Sequence, residues 1–395
     1  MRVLVYLPEE KLIPKGGPLS VGYYYNEEMK RRGEHTLEFI HVDYKNEEAH
    51  RKGRSITRKL PMWVNDIHRT IRQIIIIRTF LNENSFAPLN TYSEYDIIHF
   101  HDARSMYLER RNLENYKGIV LYQSHSPQPW GQEKCKEASK LCHWCIPNME
   151  AKYEQIERFC FERADYIIFP CEDAEEPYSK HWDYFRDLKK KHKEKFKYVL
   201  TGIMPATAVL VRNEVLSKYQ IPNKDFVISY IGRHNEVKGY DILKEIASRY
   251  FARDEKAWVV SAGLEAPITR LNHPRWKEIG FTNDPHSIIS ASDVFVLPNR
   301  DTYFDIVMLE ILSLGKIVIA SRTGGNKFFE KAGLKGVLLY DTIEEAVDLL
   351  AYVKQMSSTQ RVLLEDGNID FYRKHLSNRA MYDNYIQLLN SLNNR

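Results

Sequence analysis

Two cations in the second half of the chain have the spacing of an anion-binding site. Arg233 follows a buried-strand pattern at 228–231, and Lys238 precedes a helical pattern that begins at Tyr240. A guanidinium binds pairs of phosphate oxygens and an ammonium adds a compact charge, so a pyrophosphate is the ligand that this pair favours. Most Lys and Arg side chains are simply solvated, and two plain surface cations remain the alternative.

A carboxylate follows in the next strand-and-helix unit. Residues 294–297 have a strand pattern, 299–303 a loop pattern, and a helix is predicted from Phe304 until Gly315 ends it. Glu310 falls on the face of this helix that is not predicted to be buried. A carboxylate there would accept hydrogen bonds from ribose hydroxyls, and the helix start would offer amides to an anion. The alternative is a solvated helix residue.

Histidines stand at strand ends in the first half of the chain. His101 ends the pattern at 97–101, and His125 follows the strand pattern at 119–123. Ligands of parallel sheets bind outside the carboxyl ends of the strands, which favours a functional role for His125 over a structural one. His101 is the lesser candidate.

These residues are positioned by a recurring order of elements. Short β-branched and aromatic runs alternate with helical patterns, which is typical of parallel βαβ units. We therefore expect an α/β fold of two Rossmann-like lobes with a cleft between them and a C-terminal helix that crosses back to the N-terminal lobe. The expected divisions are 1–205 for an acceptor-binding lobe, 206–375 for a nucleotide-sugar-binding lobe and 376–395 for the terminal helix. The ten predicted strands lie at 3–7, 37–42, 97–101, 119–122, 166–169, 226–231, 258–262, 294–297, 316–320 and 336–339.

Along its whole length the sequence resembles family 4 of the GT-B glycosyltransferases. The signature of that family is a Gly-Arg…Lys-Gly segment, followed by two Glu residues separated by seven positions with a Phe-Gly pair between them. The matching residues here are Gly232-Arg233, Lys238-Gly239, Phe304 and Glu310, and Gly324-Gly325 also fits. The resemblance implies that Arg233 and Lys238 hold the diphosphate, that Glu310 binds the ribose and that His125 lies beside the transferred sugar.

Two positions depart from the signature. Thr302 stands where the family has the first Glu, which contacts the transferred sugar, and Asp305 stands where the family has the Gly of Phe-Gly. Asp301 or Asp305 would be the replacement carboxylate, and loss of activity is the other interpretation.

The resemblance also implies contacts outside these motifs. The glycine turn at Gly17 would close against donor and acceptor, or else be a tight βα turn, and Tyr23 on the following helix is an acceptor-side candidate with His101. Backbone near Gly280 and Phe281 would contact the nucleobase, with UDP favoured. Thr302, Phe304 and Asp305 complete the expected donor pocket. The reaction would retain configuration and use no metal or other cofactor, because cations on the diphosphate stabilise the leaving group.

The expected function is a hexosyl transfer from a nucleotide sugar to a saccharide or lipid-linked acceptor in bacterial surface glycan synthesis. The alternatives are an inactive transferase-like subunit that binds a glycan or partner, and a sugar-nucleotide epimerase with the same lobes.

The composition of the chain bears on its partners and on its cellular compartment. The net charge of +4 is too small to favour nucleic acid as a partner. With no leader pattern before Val3 and an odd count of five cysteines, we expect a cytoplasmic protein with reduced thiols rather than a zinc site at Cys135, Cys142 and Cys145.

One stretch is unusually basic and apolar. Residues 51–80 contain eight Lys or Arg residues against one acid, Asp66, interleaved with Trp63 and several isoleucines. Such a stretch is typical of a peripheral contact with anionic lipid, which would place the enzyme at the inner face of the membrane. A solvated charged face over a buried core is the alternative.

Overall fold

The computed structural model divides the chain into two compact units. The N-terminal unit contains Met1–Phe169, Tyr178–Tyr198 and Gln387–Arg395, and the C-terminal unit contains Pro170–Pro177 and Val199–Ile386. The chain thus changes unit at Val199, a few residues before the end of the first expected lobe. The residues that the structure describes are 1–7, 12–14, 17–40, 61–82, 92–126 and 128–393.

Each unit contains one parallel sheet of six strands, which confirms the predicted α/β class. In the N-terminal unit the strand order is β2-β1-β3-β4-β5-β6. Its strands are β1 Val3–Tyr6, β2 Leu37–Phe39, β3 Ile97–Phe100, β4 Ile119–Gln123, β5 Tyr166–Phe169 and β6 Phe196–Tyr198.

The C-terminal unit repeats the architecture with the order β12-β11-β10-β7-β8-β9. Its central strands are largely buried and mostly apolar because helices cover both faces of a parallel sheet. Its strands are β7 Phe226–Ile231, β8 Ala257–Ala262, β9 Trp276–Gly280, β10 Val294–Leu297, β11 Val318–Ser321 and β12 Val337–Tyr340.

Helices connect the strands and cover the sheets. Before Val199 they are α1 Gly17–Arg32, α2 Met62–Asn82, α3 Ala103–Leu108, α4 Arg110–Glu114, α5 Trp130–Glu137, α6 Lys140–Cys145, α7 Met149–Arg163, α8 Glu176–His181 and α9 Asp183–Lys191. After it they are α10 Arg212–Lys218, α11 Tyr240–Arg253, α12 Pro285–Ala291, α13 Ile306–Ser313, α14 Asn326–Lys331, α15 Ile343–Gln355, α16 Ser358–Phe371 and α17 Asn378–Asn393. Two 3-10 turns, Glu172–Glu175 and Lys193–Lys195, and one π turn, Tyr372–Leu376, complete the described elements.

All ten predicted strands are present, with ends that differ by a few residues. Among the described strands, those outside the ten predicted ones are the edge strands β6 and β9. Edge strands pair on one side only, and β9 carries Lys277 and Glu278 among its five residues, so the apolar run that marks a central strand is missing.

The five cysteines are free, and Cys142, Cys160 and Cys171 are buried. Within the described ranges, no group of three or more His, Cys, Asp or Glu side chains has the arrangement of a metal site. Over the same residues, no helix combines the length and the apolar character needed to cross a bilayer.

Gly239 provides a test of the packing that joins two loops of the C-terminal unit. Its φ is +64°, and a Cβ built there would lie 1.7 Å from the carbonyl oxygen of Pro298. Gly333 has a similar φ of +75° but nothing within 4 Å of its would-be Cβ.

We expect Gly333→Ala to lower the free energy of unfolding by about 1 kcal/mol, the cost of left-handed backbone for a residue with a Cβ. Gly239→Ala adds a backbone clash and should cost roughly 3 kcal/mol or more. Urea titration followed by tryptophan fluorescence measures both. Equal losses in the two variants would contradict the close approach of Gly239 to Pro298.

Candidate functional site

The carboxyl end of β7 places both predicted cations. The strand ends at Ile231, Gly232 follows, and the Arg233 side chain is exposed, with no carboxylate partner among the described residues. Asn235 Oδ1 accepts a hydrogen bond of 2.9 Å from the backbone of Lys238, which shapes the turn before α11. Helix α11 begins at Tyr240, as predicted.

A cavity of about 180 Å³ opens at the carboxyl ends of β7 and β10. Its position fits the rule that open parallel sheets bind ligands outside these strand ends. Of the two predicted phosphate cations, Lys238 lines it. The lining residues are Tyr230, Ile231, Gly232, Lys238, Leu297, Asn299, Asp305, Ile306 and Val307.

Asp305 occupies this cavity as the ion-pair partner of Lys238. The two carboxylate oxygens lie 2.7 and 2.8 Å from Lys238 Nζ, and Asn299 Nδ2 donates to Oδ2 at 2.5 Å. Burial alone would raise the pKa of Asp305, but the charge of Lys238 and the hydrogen bonds outweigh it, and the pKa lies below its usual value. The carboxylate is therefore ionised at neutral pH, and the pair brings no net charge to the cavity.

Glu310 lies on the partly exposed face of α13, as predicted, beside Ile306 and Ser313. Helix α13 starts at Ile306, two residues later than the sequence predicted, because 304 and 305 still belong to the loop. Glu310 Oε1 lies 3.5 Å from His286 Nε2, and this carboxylate raises the pKa of His286.

Two other predicted donor residues are buried in the loop before α13. Thr302 has no exposed surface, and the ring of Phe304 packs on Phe329 with centroids 5.5 Å apart. Neither lines the cavity. Phe281, predicted near the nucleobase, is 72% exposed and follows Gly280, whose φ is +74°.

In the N-terminal unit, three histidines form a cluster at the carboxyl ends of β3 and β4. His101 Nδ1 and His125 Nε2 share a hydrogen bond of 2.9 Å, and the rings of His99 and His101 lie 4.0 Å apart. Burial lowers the pKa of His99 and of His125 to about 3, and that of His101 also lies well below its usual value. All three are therefore neutral at pH 7. In the shared bond one nitrogen must donate and the other must accept, so the tautomer of one ring determines that of the other.

The remaining N-terminal candidates lie on α1. Gly17 is the first residue of this helix, and Tyr23 is half-buried with its ring 5.5 Å from that of Tyr24. Gly16 lies outside the described residues.

Residues 211–368 match the family model described as glycosyl transferases group 1. This segment holds Arg233, Lys238, Asp305 and Glu310. It is a group 1 glycosyltransferase domain.

Sequence relatives of the chain are glycosyltransferases or synthases. Granule-bound starch synthase 1 of Pisum sativum is 34% identical over 118 residues, which are 28% of this chain and 20% of that protein. The lipopolysaccharide core biosynthesis glycosyltransferase LpsE of Rhizobium meliloti is 26% identical over 183 residues, 44% of this chain and 53% of LpsE. The chain thus matches between a fifth and about half of the length of these relatives.

Solved structures extend the likeness to both units. Sucrose-phosphate synthase from Thermosynechococcus elongatus has a TM-score of 0.65 at 15% identity, with 99% of each chain covered. HepE of Anabaena, solved in complex with UDP-glucose, has a TM-score of 0.61 at 13% identity, covering 99% of this chain and 100% of HepE. Identities this low show the fold alone, and that fold is GT-B.

Two polar residues of this domain that the sequence analysis did not predict contact residues that it did predict. Asn299, directly after β10 and Pro298, holds Asp305, and its position at a strand end was the available signal. His286, one residue into α12, contacts Glu310, and no local pattern indicated that pairing.

A buried carboxyl group in the N-terminal unit is linked through a tyrosine hydroxyl to the residue before His125. Glu157 accepts hydrogen bonds from the Trp130 amide at 2.7 Å and from the Tyr178 hydroxyl at 2.9 Å, and that hydroxyl bonds Ser124, the neighbour of His125. Burial raises the pKa of Glu157 from 4.5 to about 8 despite these bonds.

Because the folded state holds this proton more tightly, Glu157 contributes stability that is fully present below about pH 4.5 and is lost as pH rises through about 8. We expect its contribution to the free energy of unfolding to fall by roughly 1.4 kcal/mol per pH unit across that window. In Glu157→Gln this slope should vanish. Denaturant titrations at several pH values measure it, with the exposed Glu114→Gln as control, and an unchanged slope in Glu157→Gln would contradict the assignment.

Proposed function

We propose that the chain is a retaining glycosyltransferase that moves a hexose from a nucleotide diphosphate sugar, UDP-sugar by preference, to a saccharide or lipid-linked acceptor in surface glycan synthesis. The main support for this proposal is the cavity at the carboxyl ends of β7 and β10. Lys238 lines this cavity, and Arg233, the residue after the lining residue Gly232, is exposed. The group 1 family match over 211–368 covers this same region.

The proposed mechanism assigns each charged group a step. Arg233 and Lys238 bind the diphosphate and stabilise the negative charge that grows on it as the bond to the sugar breaks, so the mechanism invokes no metal. Glu310 accepts hydrogen bonds from the ribose hydroxyls, and His286 keeps that carboxylate oriented. The acceptor attacks the face that the diphosphate leaves, which retains configuration without an enzymic nucleophile.

His125 is proposed to act as a hydrogen-bond partner of the transferred sugar. Its pKa of about 3 makes a protonated imidazole unavailable at neutral pH, so it serves as a neutral donor or acceptor. The 2.9 Å bond between His125 Nε2 and His101 Nδ1 orients the imidazole of His125, and in this way His101 positions it.

The preference for UDP and for a glycan acceptor is supported by relatives. The HepE structures contain UDP-glucose, or UDP and glucose, and LpsE is named for lipopolysaccharide core biosynthesis. Those ligands and products are properties of the relatives and enter here as part of the proposal.

We expect Arg233→Ala to weaken UDP binding by about 1.5 to 3 kcal/mol, the worth of one charge-assisted contact. Lys238→Ala should weaken it further, because it also leaves the Asp305 carboxylate unpaired beside the diphosphate. Glu310→Gln should weaken UDP while leaving the melting temperature nearly unchanged. Calorimetry with UDP and GDP is the measurement, and Arg253→Ala, an exposed cation paired with Glu344 and Asp348, is the matched control. Unchanged affinity in both cation variants would remove the phosphate assignment.

A second candidate function is an inactive transferase-like subunit that binds a glycan or partner. It is favoured by the ion pair that neutralises Lys238 and by the burial of Thr302 in place of the sugar-contacting Glu. Incubation of the purified protein with a panel of nucleotide sugars and acceptors separates the two, because only the active transferase releases nucleoside diphosphate.

We further propose that α2 contacts anionic lipid. Large apolar side chains recur at every fourth position and are exposed: Trp63 by 68%, Ile67 by 41%, Ile71 by 51% and Ile75 by 57%. Residues four apart lie on one helix face, so these form a stripe. Arg69, Arg72 and Arg78 are exposed on the same helix, whereas Thr70 and Ile77 are buried. The basic residues at 51–59 lie outside the described residues.

In co-sedimentation with liposomes, the wild-type protein should bind anionic vesicles and lose that binding as salt rises. Changing the four stripe residues to Ser should abolish binding. Neutralising the three arginines should weaken it by about 100-fold, at about 1 kcal/mol per basic residue. Val362→Ser with Leu363→Ser, exposed apolar residues of α16, is the control. Binding that survives loss of the stripe would exclude α2 as the lipid contact.

A further inference from the structure

The proposed diphosphate site of this chain contains a fixed negative charge. Both oxygens of Asp305 lie within 2.8 Å of Lys238 Nζ, and Asn299 holds one of them from the other side. The Asp305 side chain lines the same cavity as Gly232 and Lys238, so a phosphate group that reaches Lys238 lies beside this carboxylate. Among the residues that line the cavity, Asp305 is the single acid.

Donor and product differ in charge at the phosphate that this carboxylate would meet. In a nucleotide sugar the terminal phosphate is esterified to the sugar and carries one negative charge. After transfer the same phosphate is the unesterified terminal group of the diphosphate, and its second ionisation has a pKa of about 6, so at neutral pH it carries nearly two charges. A carboxylate nearby repels the product more strongly than the donor.

We propose that Asp305 is a specificity-determining residue that makes the site favour the nucleotide-sugar donor over the nucleoside diphosphate product. Lys238 and Arg233 supply the attraction that both ligands share, and Asp305 opposes the additional charge that appears on transfer. The consequence is faster product release and weaker product inhibition. This inference rests on the proposed function.

The test compares three ligands by calorimetry at pH 8: UDP-glucose, UDP, and UDP whose terminal phosphate is capped by a methyl ester. The methyl ester has the charge of the donor and no sugar, which separates the effect of charge from a contact with the sugar. In the wild-type protein the capped ligand should bind at least as tightly as UDP, whereas a site made of cations alone would favour the more charged UDP.

In Asp305→Asn, UDP should gain about tenfold in affinity relative to the two ligands whose terminal phosphate carries a single charge, an effect of the size expected for one partly screened charge pair. The matched control is Asp241→Asn, which removes a carboxylate paired with Arg300 outside the cavity and should leave the ratios unchanged. The wild-type comparison keeps the inference testable if the variant is poorly folded.

Other outcomes overturn the inference in distinguishable ways. If Asp305→Asn changes all three affinities by one factor, Asp305 is only a partner of Lys238. If it weakens UDP-glucose alone, Asp305 contacts the sugar and does not discriminate by charge. If the wild-type protein binds UDP more tightly than the methyl ester, the charge discrimination is absent. If neither protein binds any of the three, the proposed function fails, and this inference fails with it.

Discussion

The candidate donor site depends on backbone segments that approach one another too closely for side chains to intervene. Gly239 lies against the carbonyl of Pro298, and Gly324 lies against the carbonyl of Thr302, where a Cβ would be 1.9 Å from the oxygen. These contacts join the turn after β7 to the loop after β10, and that loop to the turn after β11. Lys238 directly precedes Gly239. Asp305 lies at the end of the loop after β10, which Gly324 contacts at Thr302. The ion pair is therefore a result of how parallel-strand ends are packed.

The same packing explains how far the sequence could lead. Strand and helix identities follow from periodicity, and the glycines mark turns, so the fold and the positions of Arg233, Lys238 and Glu310 could be predicted. The sequence could not show that Asp305 would pair with Lys238, because the two are 67 positions apart and meet only when both strands are in register. Edge strand β9 escaped prediction for a different reason: its polar residues reflect exposure on one side.

The titratable candidate side chains at the strand ends are charged in the C-terminal unit and neutral in the N-terminal unit. In the C-terminal unit the charges are retained, because Lys238 and Asp305 compensate each other and Arg233 is solvated. In the N-terminal unit burial removes charge: the histidines are neutral, and the raised pKa of Glu157 favours its protonated form. A diphosphate requires charged partners, whereas sugar hydroxyls are bound by neutral donors and acceptors. The charged groups of the C-terminal unit therefore suit the proposed diphosphate, and the neutral histidines of the N-terminal unit are of the kind that binds hydroxyls.

The departures at 302 and 305 then have a joint interpretation. The side chain at 302 is fully buried and does not line the cavity, so the position that carries an acid in the related signature does not contribute to this cavity. The acid at 305 does reach the cavity, but it is directed to Lys238 and so to the phosphates. Compared with the signature, this chain therefore lacks the acid at 302 and has one at 305, where it pairs with Lys238. In the proposed reaction, uncharged groups then recognise the transferred sugar. An acid that no longer contacts the sugar can still influence turnover, because it acts on the charge that the reaction creates.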